Sequence, residues 1–176
     1  TGKIWVQVPR TLRMHWQGKL SAGVSAKDMM LHMIGKFGMN GGQYQAIEFA
    51  GAAVQALSMQ ERMTLSNMSA ELGAQVGLIA ADDVTRAYLQ SVGVSDAQLN
   101  EVTRWQSDEG AACESYFFDA SALSPQVAAP HSPANTQAVG AFHDTTIDMA
   151  YIGACTGAKL EDLRAAAQVL KGHKVC

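Results

Sequence analysis

The stretch Ser58-Met59-Gln60-Glu61-Arg62-Met63-Thr64-Leu65-Ser66-Asn67-Met68-Ser69-Ala70-Glu71-Leu72-Gly73, followed by the apolar run Val76-Gly77-Leu78-Ile79-Ala80, decides the class of this chain. Ser58 with Glu61 forms a capping box, in which each side chain satisfies a backbone N–H that the first helical turn leaves open. A helix from Met59 to about Leu72 is expected, ended by Gly73, since glycine accepts the left-handed conformation of a helix cap. The short apolar run behind it reads as a strand.

The same rhythm extends outward in both directions. Upstream, Ile4, Val6 and Val8, then Leu12, Met14 and Trp16, alternate with polar residues. That period of two predicts strands over Lys3 to Val8 and Leu12 to Gln17, joined at Pro9-Arg10. After a loop from Leu20 to Val24, Ser25 and Asp28 resemble a second cap. The helix it opens carries Met29, Met30, His32, Met33 and Phe37, and Gly38 with Gly41-Gly42 ends it. Ala46 to Phe49 is a short strand. Downstream, Asp82 to Leu89 reads as a helix ending near Gly93, and Ser95 to Ser115 as a short helix plus a connection. Tyr116 to Asp119 is a strand, and Ser124 to Pro133 a long loop with three prolines. Ile147 to Gly153 reads as an apolar strand leading through Cys155 into a helix from about Leu160 to Leu170. Gly172 ends that helix, and Lys174-Val175 begins another strand. Strands alternating with helices predict an α/β class with layered α/β/α packing.

Composition narrows the function. Of 176 residues 48% are apolar and 16% charged, with a net charge of −3, ample material for a core. The basic residues are few and scattered, so no nucleic-acid partner is expected. No apolar run approaches the roughly 20 residues of a membrane helix, and Thr1-Gly2-Lys3 opens no signal peptide. Cys113, Cys155 and Cys176 are odd in number and widely spaced. Reduced thiols in the cytoplasm, or in the mitochondrial matrix of a eukaryote, fit them better than a disulfide framework. The absence of an initiator Met and the abrupt end at Cys176 are expected to be cuts in a longer protein.

Two places carry chemistry. Cys155, flanked by Gly153 and Gly157 where a strand is expected to give way to a helix, suits a nucleophile, a redox thiol or a metal ligand. A small residue fitted to a tight turn explains it as well. Asn67 and Glu71, four residues apart on the expected helix, share one face. They offer a proton acceptor beside an orienting amide, or simply a solvated polar stripe. The five histidines, His15, His32, His131, His143 and His173, show no metal-binding spacing. The methionines read as core filler.

The run from Tyr151 through Ile152-Gly153-Ala154-Cys155-Thr156-Gly157 to Glu161-Asp162-Leu163-Arg164 resembles the I-G-S-C-T-N…E-D-L/M signature of the aconitase family of iron–sulfur hydro-lyases. Met63-Thr64 through Asn67-Met68 to Glu71, Gly73 and Ala74 resembles its second signature, M-T-x-C-N-M-x-x-E-x-G-A. Pro130-His131-Ser132-Pro133 is similar to a loop of the homoaconitase and isopropylmalate isomerase branch. The resemblance covers essentially the whole chain. It implies an aconitase-like α/β domain and a [4Fe-4S] cluster in the intact protein, with Cys155 as one metal ligand. Glu71 is then the catalytic residue beside the open iron, and Asn67 is substrate-binding. The implied reaction dehydrates and rehydrates a small carboxylate: 3-isopropylmalate, homocitrate or homoaconitate, or citrate. The implied partners are the rest of a large subunit and possibly a separate small one.

The departures bear on this. The family's other two cluster cysteines form a later CxxC pair that this chain lacks, so the 176-residue chain alone is expected to bind no cluster and to be inactive. Gly157 stands where the family usually has Asn, and Ser66 where it usually has Cys, which leaves a non-catalytic α/β binding or scaffold module as the other reading. By resemblance, residues 1–18 complete an upstream domain, 19–112 form an aconitase-like domain, and 113–176 begin the next, cluster-bearing one.

Overall fold

The computed structural model describes residues 2–102 and 104–174. Its frame is a four-stranded parallel sheet in the order β3-β2-β1-β4. The strands are β1 (Thr11–Gln17), β2 (Ala46–Ala50), β3 (Val76–Ile79) and β4 (Glu114–Asp119). Parallel neighbours need crossovers, and helices supply them. α1 (Ala26–Phe37) links β1 to β2, while α2 (Ala52–Gln55) and α3 (Met59–Met68) link β2 to β3. α4 (Asp83–Ser91) and α5 (Asp96–Val102) lie between β3 and β4. After β4 come an antiparallel pair, β5 (Gln126–Ala128) and β6 (Thr136–Ala138), then α6 (Ala154–Gly157) and α7 (Leu160–Leu170). A parallel sheet flanked by helices is the α/β class expected from the sequence. Strands from before Gly18, from between Lys19 and Ala112, and from after Cys113 all join this one sheet.

The alternation in β1 sets the core. Leu12, Met14 and Trp16 are buried, and each such side chain contributes about 1.5–3 kcal/mol by leaving water. They join Met29, Met30, Met33 and Ile34 of α1, Ile47 and Phe49 of β2, and Leu65 and Met68 of α3 in one cluster. Trp16 stacks on Phe118 with ring centroids 4.5 Å apart. Met59 and Met63 stay only half-buried.

Two polar nodes brace the helices. Arg62, 2% exposed, clamps Asp82 through both guanidinium ends at 2.6 and 2.7 Å and also donates to the carbonyls of Gln55 and Leu57. Asp82 caps α4 by accepting from the N–H groups of Val84 and Thr85. The Arg62 hydrogen bonds hold the Asp82 carboxyl below the usual carboxylate range, against an opposing push from burial. The second node is Asp28, which accepts from Ser25 at the start of α1 and, at 2.7 Å, from the Gln126 N–H. It thereby fastens β5 to α1.

Four expectations need correction. Lys3 to Val8 is not a strand: among the described residues no neighbouring strand pairs with it, and Ile4, Trp5 and Val8 are exposed. The lead-in is thus β1 alone. α3 stops at Met68 rather than Leu72. There the Ser69 hydroxyl bonds back to the Leu65 carbonyl, and the chain turns so that the Leu72 and Gly73 carbonyls accept from Gly42 and Tyr44. The proline-rich loop contains β5, which pairs with β6 just beyond it. Pro130 and Pro133 fall between the two strands, where no ladder N–H is required. Ile147 to Gly153 forms no strand either; Ile147, Met149 and Tyr151 are exposed and unpaired in any sheet. The strand expected from Lys174-Val175 falls partly on Val175, outside the described residues, as does Cys176. Among the described residues no helix is long and apolar enough to cross a membrane. α2, which the sequence reading passed over, is preceded by its cap residue Gly51, whose φ is 101° and where a β-carbon would overlap the Trp16 carbonyl, so that no side chain fits.

Candidate functional site

Two elements meet at the candidate site, the C-terminal half of α3 and α6, and the turn that carries Glu71 follows α3. Asn67 is the penultimate residue of α3 and is exposed. Cys155 is the second residue of α6, and its thiol is free and exposed. Cys155 Sγ lies 3.6 Å from Asn67 Oδ1, within donating distance for a thiol. The two signature segments, 88 positions apart, therefore meet.

The local backbone at Cys155 differs from the expected strand-to-helix corner. An irregular segment leads into the four-residue α6, and Ala154 immediately before Cys155 takes a φ of 69°. A β-carbon in that left-handed region costs about 1–2 kcal/mol, so the turn is strained beside the thiol.

Glu71 is not on the helix. It lies in the turn after α3, its N–H donating to the Met68 carbonyl at 3.2 Å. The turn is pinned by Gly73, whose φ of 83° brings it so close to Met39 that a β-carbon would sit 2.4 Å from that carbonyl. The Glu71 side chain is half-buried, and its Oε2 is buried with no hydrogen-bond partner among the described residues. Such an orphaned carboxylate oxygen is uncommon, because an unpaired buried acceptor carries its full desolvation cost. The structure thus brings Cys155 to Asn67, and leaves Glu71 near the end of the same helix with a free oxygen.

A cleft of about 610 Å³ opens beside Asn67 between α3 and β3, walled by Arg62, Ser66, Gln75, Val76 and Leu78. Gln75 Oε1 is likewise buried and unpartnered among the described residues. Among the described residues no three His, Cys, Asp or Glu side chains gather to hold a metal ion. Cys155 is then a single donor, and Cys113 is free, with its sulfur 3.7 Å from the Ser115 hydroxyl.

The sequence reading did not single out the contacts that dock α6 and α7 on α3. Lys159 Nζ donates to Thr64 Oγ1 at 2.6 Å and to the Thr156 carbonyl at 2.9 Å. Ser58 Oγ donates to Glu161 Oε2 at 2.7 Å, and the Glu161 N–H donates to Gln60 Oε1 at 3.2 Å. A signal was present: Lys159 occupies the cap position of α7, where a side chain able to accept a hydrogen bond is the rule.

The family model described as "Aconitase family (aconitate hydratase)" matches residues 1–146. A 3-isopropylmalate dehydratase large subunit from Nitratidesulfovibrio vulgaris is 45% identical over 99% of this chain and 40% of its own length. One from Elusimicrobium minutum is 42% identical over 99% of this chain and 41% of its own length. A probable methanogen homoaconitase large subunit from Methanosarcina mazei is 41% identical over 99% of this chain and 44% of its own length. The chain therefore spans about two fifths of the relatives it matches.

Proposed function

The chain belongs to the aconitase family, and from that membership we propose that it is an interior stretch of the large subunit of an iron–sulfur hydro-lyase. The reaction is the dehydration and rehydration of a hydroxy-di- or tricarboxylate, of the 3-isopropylmalate, homocitrate/homoaconitate or citrate type. The names of the similar large subunits support the class of reaction. The observation that carries the reading is the 3.6 Å approach of Cys155 Sγ to Asn67 Oδ1.

The residues present fit one corner of a cluster site. Cys155 supplies a soft, free and exposed thiol, the ligand type that iron–sulfur clusters take. Further ligands belong to other parts of the protein, since one sulfur does not hold a cubane. When bound, the [4Fe-4S] cluster supplies a Lewis-acidic iron with an open position. This chain's own residues do the rest. The Asn67 amide donates hydrogen bonds that orient the substrate beside the cluster ligand. Glu71 supplies the carboxylate that moves the proton, its Oε2 being buried and without a hydrogen-bond partner among the described residues. A reducing compartment, the cytoplasm or the mitochondrial matrix, keeps Cys155 competent as a ligand. A separate small subunit completes the enzyme, as the "large subunit" names of the relatives suggest.

The test uses the complete polypeptide, purified without oxygen and reconstituted with iron and sulfide. Cys155→Ser should abolish both the brown absorption of the cluster and turnover. Full absorption in that variant would end the assignment of Cys155 as a ligand.

A further inference from the structure

We propose that Lys159 is a positioning residue, a strut that holds the Cys155 turn in register with α3. This rests on the reading of Cys155 and Asn67 given above.

The strut has two feet. On one side the Lys159 ammonium donates at 2.9 Å to the carbonyl of Thr156, the residue that follows Cys155. On the other it donates at 2.6 Å to Thr64 Oγ1, about one helical turn before Asn67 on α3. One cation therefore ties the neighbour of the thiol to the helix that bears the amide.

Both feet are firm. Thr64 is buried, and its hydroxyl donates in turn to the Gln60 carbonyl at 3.3 Å, so its lone pair is aimed at Lys159. The Lys159 side chain is only 17% exposed, and its charge is answered by Asp162 Oδ2 at 3.9 Å. Hydrogen bonds from an ammonium are about twice as strong as neutral ones, enough to offset the rotamer freedom a lysine loses when fixed.

Among the described residues, the other side-chain hydrogen bond from this turn to α3 is that of Cys155 to Asn67. A β-carbon at Gly157 would meet only the Lys27 ammonium, at 3.8 Å, so no side chain props the turn from within at that position. The bonds from Glu161 to Ser58 and Gln60 act at the far end of α3, more than a turn away from Asn67. Lys159 is the cross-link placed between those bonds and the site.

The experiment reads proximity without iron. In the complete polypeptide lacking cluster, Asn67→Cys places a second thiol opposite Cys155, and a short bifunctional thiol reagent such as dibromobimane bridges the two. Peptide mapping identifies the bridge. Lys159→Met should slow bridging about tenfold, and Thr64→Val should do the same. The doubly changed protein should be no slower than either, because both changes remove one contact. Thr64→Ser, which keeps the hydroxyl, should bridge at the parental rate, and the thermal midpoint should stay within a few degrees throughout. A Lys159→Met rate within twofold of the parent would overturn the strut, as would equal slowing by Thr64→Ser and Thr64→Val. No bridge even with Lys159 intact would overturn the approach of Cys155 to Asn67 itself. Loss of cluster absorption in Cys155→Ser remains a separate result.

Discussion

Cys155 Sγ and Asn67 Oδ1 stand 3.6 Å apart, joining an exposed four-residue helix to a longer one packed on the sheet. In the proposed function Asn67 is a substrate-binding residue and not a metal ligand. Asn67→Ala in the complete, reconstituted enzyme should raise KM about tenfold, the kinetic equivalent of one lost hydrogen bond. Absorption should be unchanged. Steady-state kinetics checks it, and an unaltered KM would remove Asn67 from the substrate contacts.

Glu71→Gln keeps the shape of the side chain but removes its capacity to take a proton. Turnover should fall by about 10²–10⁴, with cluster absorption intact. A Glu71→Gln enzyme running at the parental rate would end the role of this carboxylate.

The turn bearing Glu71 depends on Gly73. Gly73→Ala should cost about 1–2 kcal/mol for the left-handed backbone alone, and more for displacing the Met39 carbonyl. Urea denaturation measures it. Turnover should fall in the same variant, because Glu71 lies two residues away in the same turn.

Arg62 is the main polar brace of α3. Arg62→Met leaves Asp82 without its cation and the Gln55 and Leu57 carbonyls without a donor. The expected loss is about 3 kcal/mol, at the low end for a broken buried pair because Asp82 keeps some solvent. Lysine at this position should rescue little, since it lacks the two-pronged geometry. Equilibrium unfolding of the three proteins decides.

His32 gives a pH dependence. It sits edge-on to Trp16 and Phe118, with ring centroids 6.0 Å away in both cases, and burial, aided by Lys36, pushes its pKa below the ordinary histidine value. Below about pH 6.5 the unfolded chain therefore binds a proton that the folded one refuses. Stability should fall as pH drops from about 6.5 toward the folded pKa. His32→Gln should flatten that slope, and unfolding curves at several pH values would reveal a slope left unchanged.

Much of this was legible in the residues because the signals were local. The capping boxes at Ser25 and Ser58, the alternation in Leu12, Met14 and Trp16, and the stop at Gly38 all describe what the chain does with its neighbours in sequence. The failures share a cause too. Ile4, Val6 and Val8, like Ile147 to Gly153, carry strand-like residues, but a strand exists only where a second strand accepts it. The candidate site divided in the same way: Cys155, Asn67 and Glu71 were proposed from their signatures, whereas nothing local paired Lys159 with Thr64. Their contact closes a loop of 95 positions, and only the folded backbone reveals which lysine meets which threonine.

Every described side chain beyond Leu123 remains at least partly in contact with water. The α6–α7 arm is thus secured by a handful of polar bonds rather than by a core of its own. Amide protons along α7 should trade with deuterium far sooner than those of β1 and β2, through openings that leave the sheet intact. An arm that can lift away by itself would let a prosthetic group be inserted, or a damaged one repaired, while the rest of the molecule stays folded.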